Sequence, residues 1–169
     1  MRPLLDILRA LDDADVRAVV VGGVAVVLHG HPRMTADLDL VLDMSPRNVE
    51  RALDVFAAQG LVPRLPVEAH QFADPEVRER WRRDRQLTVF SLHDPHDPLR
   101  EVDLFAAPPI PFEELWAESQ VMTVDDVAVR VAGLDHLIRI KRAAGRPQDV
   151  ADVVALEEIR GQDGGHGQE

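Results

Sequence analysis

The sequence predicts an α/β (α+β) fold: a mixed, twisted sheet flanked by helices, with further helices at the C-terminal end. Three observations predict it. A β-branched run, Arg17 to Val21, passes through Gly22-Gly23 into an apolar stretch, Val24 to Gly30, short enough for one buried helix. Asp37-Leu38-Asp39-Leu40-Val41-Leu42-Asp43 alternates with the period of two that marks a strand. Two further strand-like runs, Gln86 to Leu92 and Glu101 to Phe105, flank the turn-rich His93-Asp94-Pro95-His96-Asp97-Pro98 and read as an antiparallel pair. The 169-residue chain is expected to form one domain over residues 1–160, burying about two-thirds of its unfolded surface.

The remaining elements follow in order. Leu4, Leu5, Ile7, Leu8 and Leu11 form a helical stripe ahead of the first strand. Ser45-Pro46 reads as an N-cap followed by proline at the first helical position, opening an amphipathic helix through Val49, Leu53, Val55 and Phe56 that stops at Gly60. Leu61 to Val67 is short, extended and interrupted by proline. Pro111 to Ser119 predicts a short helix, and Val121 to Val131, with Asp125-Asp126 at its middle, a hairpin. After Gly133, Leu134, Leu137, Ile138 and Lys141 outline one helix; after Pro147, Val150, Val153, Val154 and Leu156 outline another. Gly161 to Glu169 reads as a polar, glycine-rich, disordered tail.

The chemistry lies in the acids. Leu38, Leu40 and Leu42 share one strand face and belong to the core, while Asp37 and Asp39 stand on the other, about 6.6 Å apart along the backbone. Asp103 alternates with Val102 and Leu104, so it can face the same cleft. Clustered carboxylates repel one another unless cations lie between them, and magnesium takes oxygen ligands. A glycine turn opening a helix offers free N–H groups and close approach to a phosphate. The turn is neither a Walker A loop nor a G-x-G-x-x-G fingerprint. Together these features point to metal-dependent transfer of a nucleotidyl group.

Val21-Gly22-Gly23-Val24-Ala25, Arg33-Met34-Thr35-Ala36-Asp37-Leu38-Asp39 and Val102-Asp103-Leu104-Phe105, in that order, resemble the DNA polymerase beta-type nucleotidyltransferase superfamily. Within it, R-x-T-x-D-x-D and the stretch from Lys141 to Asp152 are most similar to the minimal, AbiEii-like nucleotidyltransferases, which include toxins of type IV toxin–antitoxin systems. The resemblance covers about residues 15–157. It implies an NTP substrate held by Gly22 and Gly23, and Mg²⁺ or Mn²⁺ held by Asp37, Asp39 and Asp103. Asp103 would also help deprotonate the attacking hydroxyl, and Lys141 would contact the phosphates. Arg33 and Thr35 would either touch the triphosphate or fix the loop. The implied acceptor is RNA, especially a tRNA end, and the implied partner a cognate antitoxin. An aminoglycoside or lincosamide nucleotidyltransferase and a catalytically silent binding protein are the alternatives. Many superfamily members carry serine where this chain has Gly23, so backbone donors are left to hold the phosphate.

Composition narrows the partners. A formal net charge of −11 opposes non-specific binding to polyanions. The chain has no cysteine, which excludes disulfides and thiolate chemistry. The uncharged run from Ala18 to Gly30 falls short of the ~20 residues that span a bilayer, so a cytoplasmic protein without a membrane partner is expected. Arg78, Arg80, Trp81, Arg82, Arg83 and Arg85 form the densest basic cluster. Trp81, Arg82 and Arg83 are candidates for stacking and holding a nucleic-acid acceptor, although a solvated helix anchored by Trp81 explains the pattern nearly as well. Asp149 and Asp152, on one helix face, can pair with Lys141 or Arg146.

Overall fold

The structure, a computed structural model, describes residues 2–164. Helix α1 (Arg2–Asp13) buries its leucine stripe and leads to β1 (Ala18–Val20), α2 (Gly22–Leu28) and β2 (Asp37–Leu42). Helix α3 (Pro46–Ala58) crosses to a two-residue strand β3 (Val62–Pro63), a 3₁₀ turn at Ala69–Ala73 and α4 (Pro75–Arg85). A long hairpin, β4 (Val89–Asp94) and β5 (Asp97–Phe105), is followed by α5 (Phe112–Ala117) and a second hairpin, β6 (Gln120–Val124) and β7 (Val127–Val131). Helices α6 (Leu134–Ala144) and α7 (Pro147–Gly164) close the described chain.

Among the described residues, the strands form one seven-stranded mixed sheet in the order β3-β4-β5-β2-β1-β7-β6. Both hairpins pair antiparallel, whereas β2 and β5 run parallel with Asp39 opposite Asp103 and Leu40 opposite Leu104. The two sheet faces are buried differently. Leu38, Leu40, Leu42, Phe90, Leu92, Val102 and Leu104 enter the main core with α1, α3 and α4. On the other face, Val19, Val21 and Val41 pack with Ile110, Leu115, Ala132 and Ile140 in a smaller cluster. The acid-bearing face of β2 is therefore covered at its Val41 end and open at its Asp37 end, which leaves a cleft where the carboxylates stand.

Several sequence expectations shift. Ser45 occupies the N-cap position of α3, but its side chain makes no capping bond. The Asp43 carboxylate instead accepts the Ser45 N–H at 2.9 Å, and Asn48 bonds the carbonyls of Arg17 and Asp43, leaving Pro46 to set the first turn. The strand expected from Gln86 starts at Val89, because Gln86 takes a left-handed conformation (φ 53°) that ends α4. Asp125 and Asp126, with φ of 45° and 66°, form the tight turn expected between β6 and β7. The polar tail expected from Gly161 begins inside α7, which runs to Gly164; a glycine there costs only about 1 kcal/mol of helix propensity. Residues 165–169 lie outside the described residues. Among the described residues, no helix is long and apolar enough to cross a membrane.

Candidate functional site

Strand pairing places the acids. Because Asp39 faces Asp103 and Asp103 faces Ser91 across the neighbouring strands, one row across the open sheet face reads Asp39, Asp103, Ser91. The next row reads Asp37, Glu101, His93. Asp37, Asp39 and Asp103 thus share a face, with Asp37 exposed at the rim and the other two partly buried.

Burial, then the neighbouring Asp103 charge, pushes Asp39 up to about 6, against the opposing effects of a hydrogen bond from the Gly23 N–H and the charge of Lys141. Asp103 is also raised, chiefly by burial, while a hydrogen bond with Ser91 opposes the shift. Asp37 is raised by burial and by Glu101. The Arg64 guanidinium grips Glu101 through two bonds of 2.7 Å and holds its carboxylate below the usual range.

Asp103 Oδ1 is buried with no hydrogen-bond partner among the described residues. An orphaned carboxylate oxygen beside a second carboxylate suits a cation. No three histidine or acid side chains among the described residues converge into a preformed cage. The adjacent carboxylates of Asp39 and Asp103 are a donor set that magnesium accepts, since it takes oxygen ligands and is commonly held by one or two carboxylates.

The glycine turn is pressed against this pair. Gly22 has φ 64°, and a Cβ there would lie 1.8 Å from Asp39 Oδ2, so only glycine lets the chain pass. A Cβ on Gly23 would meet Thr35 Oγ1 at 2.5 Å and an Arg33 guanidinium nitrogen at 3.0 Å. Arg33 and Thr35 therefore cover Gly23, the Thr35 hydroxyl occupying space where a larger residue 23 would project.

Lys141 is buried, not presented to solvent. Its Nζ lies 3.0 Å from Asp149 Oδ1 and 2.8 Å from Asp152 Oδ2. Arg33 reaches Asp152 at 2.5 Å and Arg146 reaches Asp149 at 2.7 Å, which completes a chain of charges from the loop before β2 to α6 and α7. A lysine on an otherwise apolar helix face is buried with that face, and two acids one turn apart neutralise it.

A cavity of about 430 Å³ opens beside the acids. Gly22, Asp39, Asp103, Lys141, Arg146 and Asp149 line its charged end, and Val89, Phe105, Pro109, Ile140, Ala143 and Ala144 its apolar wall.

The basic cluster is elsewhere. Trp81 is 5% exposed and stacks on Phe90 at 5.8 Å, on the sheet face opposite Asp103. It is a core anchor and cannot stack a base. Arg82 pairs with Glu79 and Arg83 with Asp84, each from the exposed side of α4. The expected acceptor platform is thus a solvated helix face, since a tryptophan at that spacing buries with the helix's apolar side. Asp94 accepts the His96 N–H and an Arg100 bond, so the His/Asp-rich segment is an ordinary turn. The structure adds Glu101, Arg64, Ser91, His93 and Arg146 to the cleft. Glu101 was signalled by its alternation with Asp103; Arg64 carried no signal, because its segment lacks a pattern.

No protein-family model and no curated protein sequence matches the chain. Solved structures do. A lincosamide antibiotic adenylyltransferase, LnuA, solved with lincomycin bound, is 14% identical, with 94% of this chain and 97% of that one covered and a TM-score of 0.64. The antibiotic-resistance factor ANT(2'')-Ia is 12% identical, covering 95% and 90%, with a TM-score of 0.58. An antigenic nucleotidyltransferase-like protein from Paracoccidioides brasiliensis is 17% identical, covering 90% and 72%, with a TM-score of 0.54. At these identities the likeness is one of fold: the chain has the nucleotidyltransferase fold.

Proposed function

We propose that this protein transfers a nucleoside monophosphate from an NTP to a hydroxyl of a small, cationic acceptor. The observation that carries the transfer chemistry is the pair Asp39 and Asp103 on register-matched parallel strands, one of its oxygens buried without a partner, against a glycine turn with no room for a side chain. Asp39 and Asp103, with Asp37 at the rim, would hold Mg²⁺ or Mn²⁺. When bound, the metal supplies charge stabilisation for the attacking and leaving oxygens. Gly22, which lines the cavity, lets the triphosphate approach, and Lys141 contributes its charge from beneath the cavity. Gly23 lies buried beneath Arg33 and Thr35 with its N–H on Asp39, and so braces the site instead of holding phosphate as the sequence resemblance implied. Asp103, raised by burial and hydrogen-bonded with Ser91, is placed to accept the proton of the attacking hydroxyl. NTPs are cytoplasmic substrates, so the reaction belongs in the cytoplasm.

The acceptor class rests on charge. The rim carries Asp37 beside a Glu101 already paired with Arg64, the chain has a net charge of −11, and the arginine cluster lies behind the sheet. That field attracts a cation and repels a polyanion. LnuA and ANT(2'')-Ia carry names that join this fold to antibiotics, which agrees with the charge argument. The test is incubation with each α-labelled NTP against aminoglycosides, lincosamides and total RNA. Label on a cationic small molecule, lost in Asp103→Asn, is expected. Label on RNA would overturn the acceptor and favour a toxin with a cognate antitoxin, as the sequence resemblance implies.

A further inference from the structure

Two cations line the charged end of the cavity, and they differ in what remains free. Lys141 has a side chain 5% exposed, enclosed by Asp149 and Asp152, whose side chains are 1% and 3% exposed. Its ammonium is fixed, with two of three protons directed at buried carboxylates. Arg146 has a side chain 73% exposed. It is tethered along one edge: Nε to Asp149 Oδ2 at 2.7 Å and Nη2 to Asp149 Oδ1 at 3.4 Å, while its own backbone N–H bonds the same carboxylate at 3.2 Å. Nη1 makes no hydrogen bond among the described residues.

The backbone around Arg146 is constrained on both sides. Gly145, in a left-handed conformation (φ 65°), ends α6, and Pro147 begins α7, so the link between the helices is two residues long. An arginine held at its Nε edge by a buried aspartate, on a short rigid link, presents the rest of its planar fork in a defined place. That place is the cavity shared with Gly22, Asp39 and Asp103. A guanidinium fork matches phosphate oxygens bidentately, which a buried ammonium with both neighbours engaged does not.

We infer that Arg146 is the residue that grips the triphosphate of the nucleotide, and that Lys141 is a positioning residue that fixes Asp149, which in turn aims Arg146. This rests on the nucleotide reading above and moves the phosphate contact from Lys141 to Arg146, which the sequence offered only as an ion-pair partner for Asp149 or Asp152. Asp149 is shared: Lys141 takes Oδ1 at 3.0 Å, leaving Oδ2 for Arg146. The guanidinium of Arg33, tied to Asp152, completes the cationic surroundings on the far side of Lys141.

The test is equilibrium titration of ATP, GTP, CTP and UTP, and of the corresponding monophosphates, into the full chain with Mg²⁺. Arg146→Ala should weaken the preferred NTP roughly ten- to hundredfold and its monophosphate far less, with the melting temperature little changed because the side chain is exposed. Arg146→Lys should recover part of the loss. Asp149→Glu should bind the NTP better than Asp149→Asn, and both should keep monophosphate binding, a split that a merely structural role for Asp149 would not produce. If the wild type binds an NTP and Arg146→Ala binds it equally, the assignment of Arg146 is overturned while the nucleotide reading stands. If the wild type binds none of the four, the nucleotide reading itself is overturned.

Discussion

Replacing Asp39 with asparagine should make the metal-free protein more stable while abolishing turnover. Asp39 is ordinary near 3.8 in an unfolded chain and pushed up to about 6 in the native state. The native protein therefore holds this proton more firmly than the unfolded chain, and stability falls as pH rises through the window from 3.8 to about 6. At about 1.4 kcal/mol per pH unit, that gap amounts to roughly 3 kcal/mol above pH 6. Asparagine keeps an oxygen for the Gly23 N–H and does not ionise beside Asp103. With no metal present, Asp39→Asn should gain about 1–3 kcal/mol at pH 8, on the order of 3–10 °C in melting temperature, and nothing at pH 4. The assay is thermal unfolding in EDTA at pH 4, 6 and 8, repeated with Mg²⁺ and an NTP, where only the wild type should be further stabilised. A mutant less stable than wild type at pH 8 in EDTA would refute the reasoning and make Asp39 a structural carboxylate.

Other outcomes follow from the same geometry. Gly22→Ala places a Cβ 1.8 Å from Asp39 Oδ2 on a backbone at φ 64°, so it should lower the melting temperature and remove activity together, measured by unfolding and label transfer. NTP affinity should rise with Mg²⁺ or Mn²⁺ and drop in EDTA, since carboxylates facing a triphosphate repel it; calorimetry showing equal binding in both would sink the metal reading. Trp81→Ala should cost about 3–5 kcal/mol in urea denaturation through lost packing on Phe90, whereas Arg82→Ala with Arg83→Ala should leave both stability and acceptor KM nearly unchanged.

The elements that sequence made legible are those encoded locally. Period-two alternation in Asp37–Leu42 placed the leucines inward, the Asp125-Asp126 pair marked a hairpin turn, and Pro46 and Pro147 opened helices where expected. What was not legible depended on pairing between distant segments. That Asp39 stands beside Asp103 follows from the parallel register of β2 and β5, which no local pattern states. For Lys141 the sequence offered Asp149 and Asp152 as partners, and what it did not state was that the lysine is buried and takes both at once when α7 docks. Arg64 read as an ordinary surface arginine until the fold set it against Glu101, while Arg146, already a pairing candidate for Asp149, gained its place beside the cleft only from the fold. For Trp81 the local signal was ambiguous, and the stacking on Phe90 across the sheet decided it.

The bond from Arg33 to Asp152 joins positions 119 residues apart, and through Lys141 and Asp149 it reaches Arg146. A chain emerging from the ribosome would already carry the glycine turn and all three cleft aspartates long before α7 is synthesised. Until that helix arrives, Lys141 lacks its two carboxylates and Arg33 its anchor. Contacts of such long sequence separation form late in folding, because loop closure must come first. The protein should therefore acquire competence for nucleotide only as α7 packs, so that a nascent chain without that helix carries the acids of the site without an assembled place for the phosphates.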